Sequence, residues 1–130
     1  TLDETVTLIK TINRQNFGIT FEPANLMACG SDFNKNALNQ LLPYTENFYF
    51  QNIILDKKGK HVFPTIHNGD VRVKYVSLDN SNGINVFSFL DFLREKKYDK
   101  WFTVHQPLLE DQTVENAIEN ASKLFLEYKF

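Results

Sequence analysis

Polar and apolar positions alternate over residues 17–22: Phe17, Ile19 and Phe21 face one way, Gly18, Thr20 and Glu22 the other. A period of two with β-branched and aromatic content predicts a strand. Pro23 has no backbone N–H to give to a ladder, so this strand should stop near Glu22. Asn47–Gln51 repeats the alternation, with Phe48 and Phe50 against Tyr49 and Gln51, and the strand can continue through Ile53, Ile54 and Leu55. A third strand is expected at 101–106, where Phe102 and Val104 oppose Trp101, Thr103 and His105 before Pro107 ends it. Val71, Val73 and Tyr75 alternate with Arg72, Lys74 and Val76, which predicts a short extra strand or hairpin arm inside the irregular stretch 56–84. Asp56-Lys-Lys-Gly59 reads as a turn within it.

Between these strands the apolar spacing changes to that of helices. Residues 1–15 place Leu2, Val6 and Ile9 on one stripe, widened by Leu8 and Ile12, with capping-box spacing between Thr1 and Glu4. Residues 23–32 read as a loop. Asp32 or Asn34 then caps a short helix over 34–42 that buries Ala37, Leu38, Leu41 and Leu42, and Pro43 prevents its extension. Asn85 caps a helix at 86–97 with Val86, Phe89, Leu90 and Leu93 as its core stripe. The last helix, 113–128, collects Val114, Ala117, Ile118, Ala121, Phe125 and Tyr128 on one side. Strands separated by helices imply right-handed crossovers and a parallel sheet, so the fold class is α/β.

The polar faces of the three main strands end in Glu22, Gln51 and His105 respectively. Ligands bind at the carboxyl ends of strands in parallel α/β proteins, so these three side chains point to one polar site. A long excursion after the second strand's carboxyl end agrees with a functional face.

Composition narrows the function. The chain has 130 residues, one domain's worth, with 42% hydrophobic and 23% charged residues, which is an ordinary globular composition. Its net charge is −2 with both signs mixed, so there is no electrostatic footprint for nucleic acid or an anionic membrane. No apolar run approaches the length of a membrane span. Residues 1–15 lack the zones of a signal peptide, and the lone Cys29 permits no intrachain disulfide, so the expected compartment is the cytoplasm. Dinucleotide and P-loop glycine motifs, the nucleophile elbow and zinc-finger spacing are all absent. His61 and His67 have no partner at helical ligand spacing, and Cys29 has no evident basic neighbour. Lys57, Lys58 and Lys60 form a small basic cluster after the second strand; a solvated turn and a contact to a hydroxyl-rich or anionic ligand are both open.

Three stretches, in this order, resemble a known family. Asn16-Phe-Gly-Ile-Thr-Phe-Glu-Pro-Ala-Asn-Leu26 is similar to the sixth strand of the xylose-isomerase-like sugar isomerase/epimerase superfamily. Gly83-Ile-Asn-Val-Phe-Ser-Phe-Leu-Asp-Phe-Leu93 and Lys97-Tyr-Asp-Lys-Trp-Phe-Thr-Val-His105 resemble its passage from the last loop to strand eight. Ala121-Ser-Lys-Leu-Phe125 fits its terminal helix. The resemblance implies the C-terminal half, strands six to eight, of a (β/α)8 TIM barrel. It also implies association with the missing N-terminal half, or formation of a homo-oligomer.

Such barrels bind a divalent metal (Mn, Mg or Zn) through Glu, Asp, His and Glu and move a proton next to a sugar carbonyl. On this resemblance Glu22 takes the Asp position, and Glu22 and His105 become the catalytic and metal-binding candidates, His105 replacing the final Glu. Asn25 falls where epimerases carry a substrate-contacting His, Gln51 replaces the His ligand, and Lys57 lies near a substrate-binding Arg. Asn25, Gln51 and Lys57 are thus candidates for binding a sugar or polyol. Gln is a weak metal ligand, so a non-catalytic carbohydrate-binding or regulatory barrel with a degenerate metal site is the alternative. A third activity seen on this fold, apurinic-site cleavage, needs a His-rich metal cluster and a basic surface that the chain lacks.

Overall fold

A computed structural model describes residues 1–31 and 34–128, with Tyr128 described in its backbone alone. The expectations for Asp32 as a cap and for the Tyr128 side chain fall outside the described residues.

Helix α1 is Leu2–Ile12, opened by the Thr1/Glu4 capping box and closed at Asn13, whose φ of 43° is left-handed. Strand β1, Ile19–Phe21, is shorter than the alternation predicts. Residues 23–28 are helical, not looped: α2 is Pro23–Ala28, with Pro23 in its first turn. The proline that ends the strand lacks only an N–H that a helix's first turn leaves unpaired anyway, and its fixed φ suits a helix start. Helix α3 is Lys35–Leu41, capped by the Asn34 side chain, and Leu42–Tyr44 forms a tighter 3-10 turn into strand β2, Thr45–Phe50.

The continuation into Ile53–Leu55 proves to be a separate strand. Gln51 and Asn52 break the run, and β3, Ile53–Leu55, joins a different sheet. There it pairs antiparallel with β5, Gly69–Tyr75, which pairs with β4, His61–Thr65. The expected turn is present, with Gly59 N–H donating to Asp56 O at 2.8 Å. A side chain at Gly59 would stand 2.2 Å from Val73 O, which explains the glycine.

Helix α4, Val86–Glu95, is capped by the Asn85 side chain and buries Val86, Phe89, Leu90, Phe92 and Leu93. Strand β6, Trp101–Val104, and helix α5, Val114–Tyr128, complete the chain.

The main sheet is parallel, in the order β1-β2-β6. Strand β2 is central and the other two are edges. Phe48 and Phe50 point from β2 into the helical layer and are almost wholly buried. The Phe48 ring meets Phe21 at 5.3 Å, Phe89 at 5.0 Å and Tyr98 at 4.8 Å, each edge to face. Rings prefer this geometry because the positive edge of one meets the negative face of the next. The predicted strand faces are therefore the observed ones.

Helix α5 departs from its expected face. Phe125 packs on Phe102 at 4.8 Å and Leu124 is buried, yet Val114 and Ile118 are 53% and 61% exposed. Their stripe is apolar, but among the described residues no layer covers it.

Candidate functional site

Glu22 owes its position to its neighbour. Because Pro23 starts α2, Glu22 becomes the residue that joins β1 to that helix, with extended φ and ψ of −131° and 107°. Its carboxylate turns back over the sheet and accepts a hydrogen bond from Asn25 Nδ2, one helical turn onward, at 2.7 Å. Gln51, immediately after β2, donates its Nε2 to the other oxygen in a short contact. His105 follows β6, and its backbone N–H donates to Phe50 O at 2.9 Å, extending the ladder one residue past the strand. That anchoring brings its Nδ1 to 4.0 Å from Glu22 Oε1. The Tyr49 ring lies 5.2 Å from the imidazole. Three adjacent parallel strands thus converge on one carboxylate at their carboxyl ends.

The electrostatics are mixed. The Glu22 side chain is only 12% exposed, whereas that of His105 is 63% exposed. Burial raises the Glu22 pKa above the usual carboxylate range, because a carboxylate removed from water loses hydration. The Gln51 amide, the His105 charge and the Asn25 amide pull it down, without cancelling the effect of burial. Such a carboxyl group gains and loses a proton nearer neutrality than an exposed one, as acid–base chemistry requires.

Of the sequence-predicted residues, Glu22, Asn25, Gln51 and His105 come together. Lys57 lies exposed in the Asp56–Gly59 turn. Among the described residues it has no hydrogen bond or ion pair with the other four.

A second group of residues fixes the floor of the site. Asn52 is fully buried. Its Nδ2 donates to the carbonyls of Ser77, Leu78 and Asn80 at 2.9, 3.1 and 2.9 Å, and its Oδ1 accepts from Ile84 N at 2.7 Å. Gln106, next to His105, accepts from Asn52 N at 2.7 Å and donates to Val76 O at 2.8 Å. These two amides tie the loop 77–84 and the base of β5 to the residues flanking Gln51 and His105. The signal for Asn52 was a polar residue set between Phe50 and Ile53 in an otherwise apolar run. Tyr75, at the end of β5, has its phenol pKa raised by burial and, less strongly, by the Glu22 charge.

The described residues bring two candidate metal donors together, Glu22 and His105, and no third. With bonds of about 2.1 Å, ligands of a divalent ion stand about 3.0–3.4 Å apart when adjacent and about 4.2 Å apart when opposite. Glu22 and His105 are 4.0 Å apart, and both Glu22 oxygens already accept from amides. Among the described residues no group of three or more His, Cys, Asp or Glu side chains is placed to hold a metal ion.

A parallel β/α sheet, helices on its outer side and polar residues gathered at the strands' carboxyl ends fit part of a TIM barrel. The chain's fold is xylose-isomerase-like. It superposes on the crystal structure of a xylose isomerase domain protein from Planctomyces limnophilus with a TM-score of 0.65 and 22% identity. The match covers 97% of this chain but 42% of that one, so the chain spans less than half the length of the solved structure. No protein-family model and no curated protein matches the sequence. Among the described residues no helix is long and apolar enough to cross a membrane.

Proposed function

We propose that the chain supplies strands six to eight of a sugar isomerase/epimerase-like barrel, and that its carboxyl-end face acts on a sugar or polyol. One observation carries this reading. A shielded carboxylate, Glu22, is surrounded by the amides of Asn25 and Gln51 and by the His105 imidazole where three parallel strands end. Amides and a carboxylate at close spacing both accept and donate to vicinal hydroxyls, as a polyhydroxylated ligand demands.

In this role Glu22 takes a proton from the carbon next to the sugar carbonyl. Its raised pKa strengthens it as a base relative to an exposed carboxylate. Asn25 and Gln51 hold the carboxylate's orientation, and His105, open to solvent, exchanges protons with the ligand's oxygens. The test uses the full-length protein with D-xylose, D-glucose, D-fructose and sorbitol. Calorimetry should give saturable binding that is lost in Glu22→Ala, and NMR in deuterated water should give exchange of the proton next to the carbonyl. Binding unchanged in Glu22→Ala would overturn the assignment.

The second reading is a non-catalytic carbohydrate-binding or regulatory barrel. It is favoured by Gln51, which stands at a position where the resemblance implies a metal-binding His and is already spent on Glu22. It predicts the same binding with no proton exchange. Detected exchange removes it.

A further inference from the structure

Along β2 and the residue after it, Asn47, Tyr49 and Gln51 share the polar face, and each meets a side chain from a neighbouring strand. Asn47 Oδ1 accepts from Thr103 Oγ1 at 3.1 Å, and Gln51 donates to Glu22. Between them, Tyr49 lies opposite Thr103 in the ladder, and its ring meets that of His105, two residues further along the chain. The ring centroids are 5.2 Å apart with their planes at 40°, inside the range of a favourable ring pair. Tyr49 is itself well anchored, since β2 is the central strand of the sheet and the flanking Phe48 and Phe50 are buried.

The contact falls on the least constrained part of His105. The backbone there is held, because the His105 N–H donates to Phe50 O and the next residue, Gln106, is tied to Asn52 and Val76. The side chain is 63% exposed, and among the described residues the imidazole makes no hydrogen bond. Its 4.0 Å separation from Glu22 is too long for one, so that approach alone leaves the ring's rotation open. We propose that Tyr49 is a positioning residue of this site, whose ring holds the His105 imidazole with Nδ1 toward Glu22. A ligand then meets the carboxylate and the imidazole already placed, and binding does not have to order the His105 side chain. The placement itself needs no ligand; its use on a ligand rests on the sugar or polyol reading given above.

Tyr49→Leu removes the ring and Tyr49→Phe keeps it. In histidine-labelled full-length protein, three-bond couplings to the His105 β-protons report its rotamer, with the resonance assigned by its loss in His105→Ala. Wild type and Tyr49→Phe should hold one rotamer, whereas Tyr49→Leu should average between rotamers. Tyr49→Ile, with a side chain suited to a strand, gives the same comparison should Tyr49→Leu fail to fold. An averaged rotamer in wild type overturns the assignment, and so does a single rotamer kept after the ring is removed. Calorimetry with D-xylose, D-glucose, D-fructose and sorbitol should give binding about two- to tenfold weaker in Tyr49→Leu than in wild type. Because Tyr49 acts through His105, adding Tyr49→Leu to His105→Ala should weaken binding no further, and losses that simply add overturn the positioning role. No binding of any of the four compounds by wild type overturns the sugar reading and leaves the rotamer measurement to decide the role of Tyr49.

Discussion

Replacing Asn52 by leucine keeps the number of side-chain heavy atoms and removes every polar contact the side chain makes. Its two amide hydrogens are shared among three carbonyls, and its oxygen is the acceptor for the Ile84 N–H, a residue itself 1% exposed. Two lost hydrogen bonds at about 1 kcal/mol each, with about 1–3 kcal/mol for the stranded N–H, give a destabilisation of about 3–5 kcal/mol. That is a large share of a domain's net stability, about 5–15 kcal/mol. Urea unfolding of the full-length protein at pH 7 should therefore show a much lower midpoint with an unchanged slope. Hydrogen exchange should lose protection first at the Ile84 amide. Asn52→Asp sharpens the test, because it keeps the shape and the acceptor while burying a charge. The Asp pKa would be raised in the folded state above its unfolded value of about 3.9, so this variant should be most stable below that pH and lose stability as pH rises. A loss under about 1 kcal/mol for Asn52→Leu would refute the view that this side chain holds the loop 77–84 in place.

Other outcomes follow from neighbouring contacts. A Cβ at Gly83 would stand 2.2 Å from Asn52 Oδ1 and 2.6 Å from Ile53 O, so Gly83→Ala should cost about 1–3 kcal/mol in the same unfolding assay. Combined with Asn52→Leu it should cost less than the sum, since both act on one contact. For Glu22 the folded pKa is raised, so its protonated form favours folding below about pH 4.5 and this contribution is lost as pH climbs through the folded pKa. Glu22→Gln should accordingly lose less stability than wild type between pH 4 and pH 7, and an identical pH dependence in urea midpoints would contradict the shift. Residues 1–130 expressed alone should associate or aggregate, because β1 and β6 are open edges and Trp101, Val114, Ile118 and Leu126 are exposed. Sedimentation giving a dilute monomer with cooperative unfolding would count against the half-barrel reading.

Much of this architecture is written locally. The period-two runs around Phe21, Phe48 and Phe102 identify the three parallel strands and their buried faces, and they bring Glu22, Gln51 and His105 to one end. Helix α2 is not legible in the same way, because a proline that stops a strand equally suits a helix's first turn. The break after Phe50 is hidden by the apolar Ile53–Leu55 that follows, and pairing with β5 is decided by a partner some twenty residues away. Periodicity marks the apolar side of α5 but carries no information about what covers it, so Val114 and Ile118 read as core and stand exposed. The clamp that Asn52 and Gln106 place on Val76 is a tertiary arrangement with no local signature beyond one buried asparagine.

The two sheets also differ in how far apart their paired residues lie along the chain, and this sets the order in which they can form. Strands β4 and β5 pair residues from Thr65 with Gly69 out to His61 with Val73, so their loop closes within a dozen positions. Strands β2 and β6 pair Asn47 with Trp101, across the whole hairpin and helix α4. Hairpins form in about 1–10 μs, whereas non-local parallel pairing must first overcome the entropy of closing a long loop. The β4–β5 hairpin is therefore expected to pair before β2 and β6 meet. Pulse-labelled amides of β5 should gain protection ahead of those of β2, and the reverse order would contradict this sequence of events. On that order the site, which needs β1, β2 and β6 side by side, is complete only once the longest-range pairing has closed.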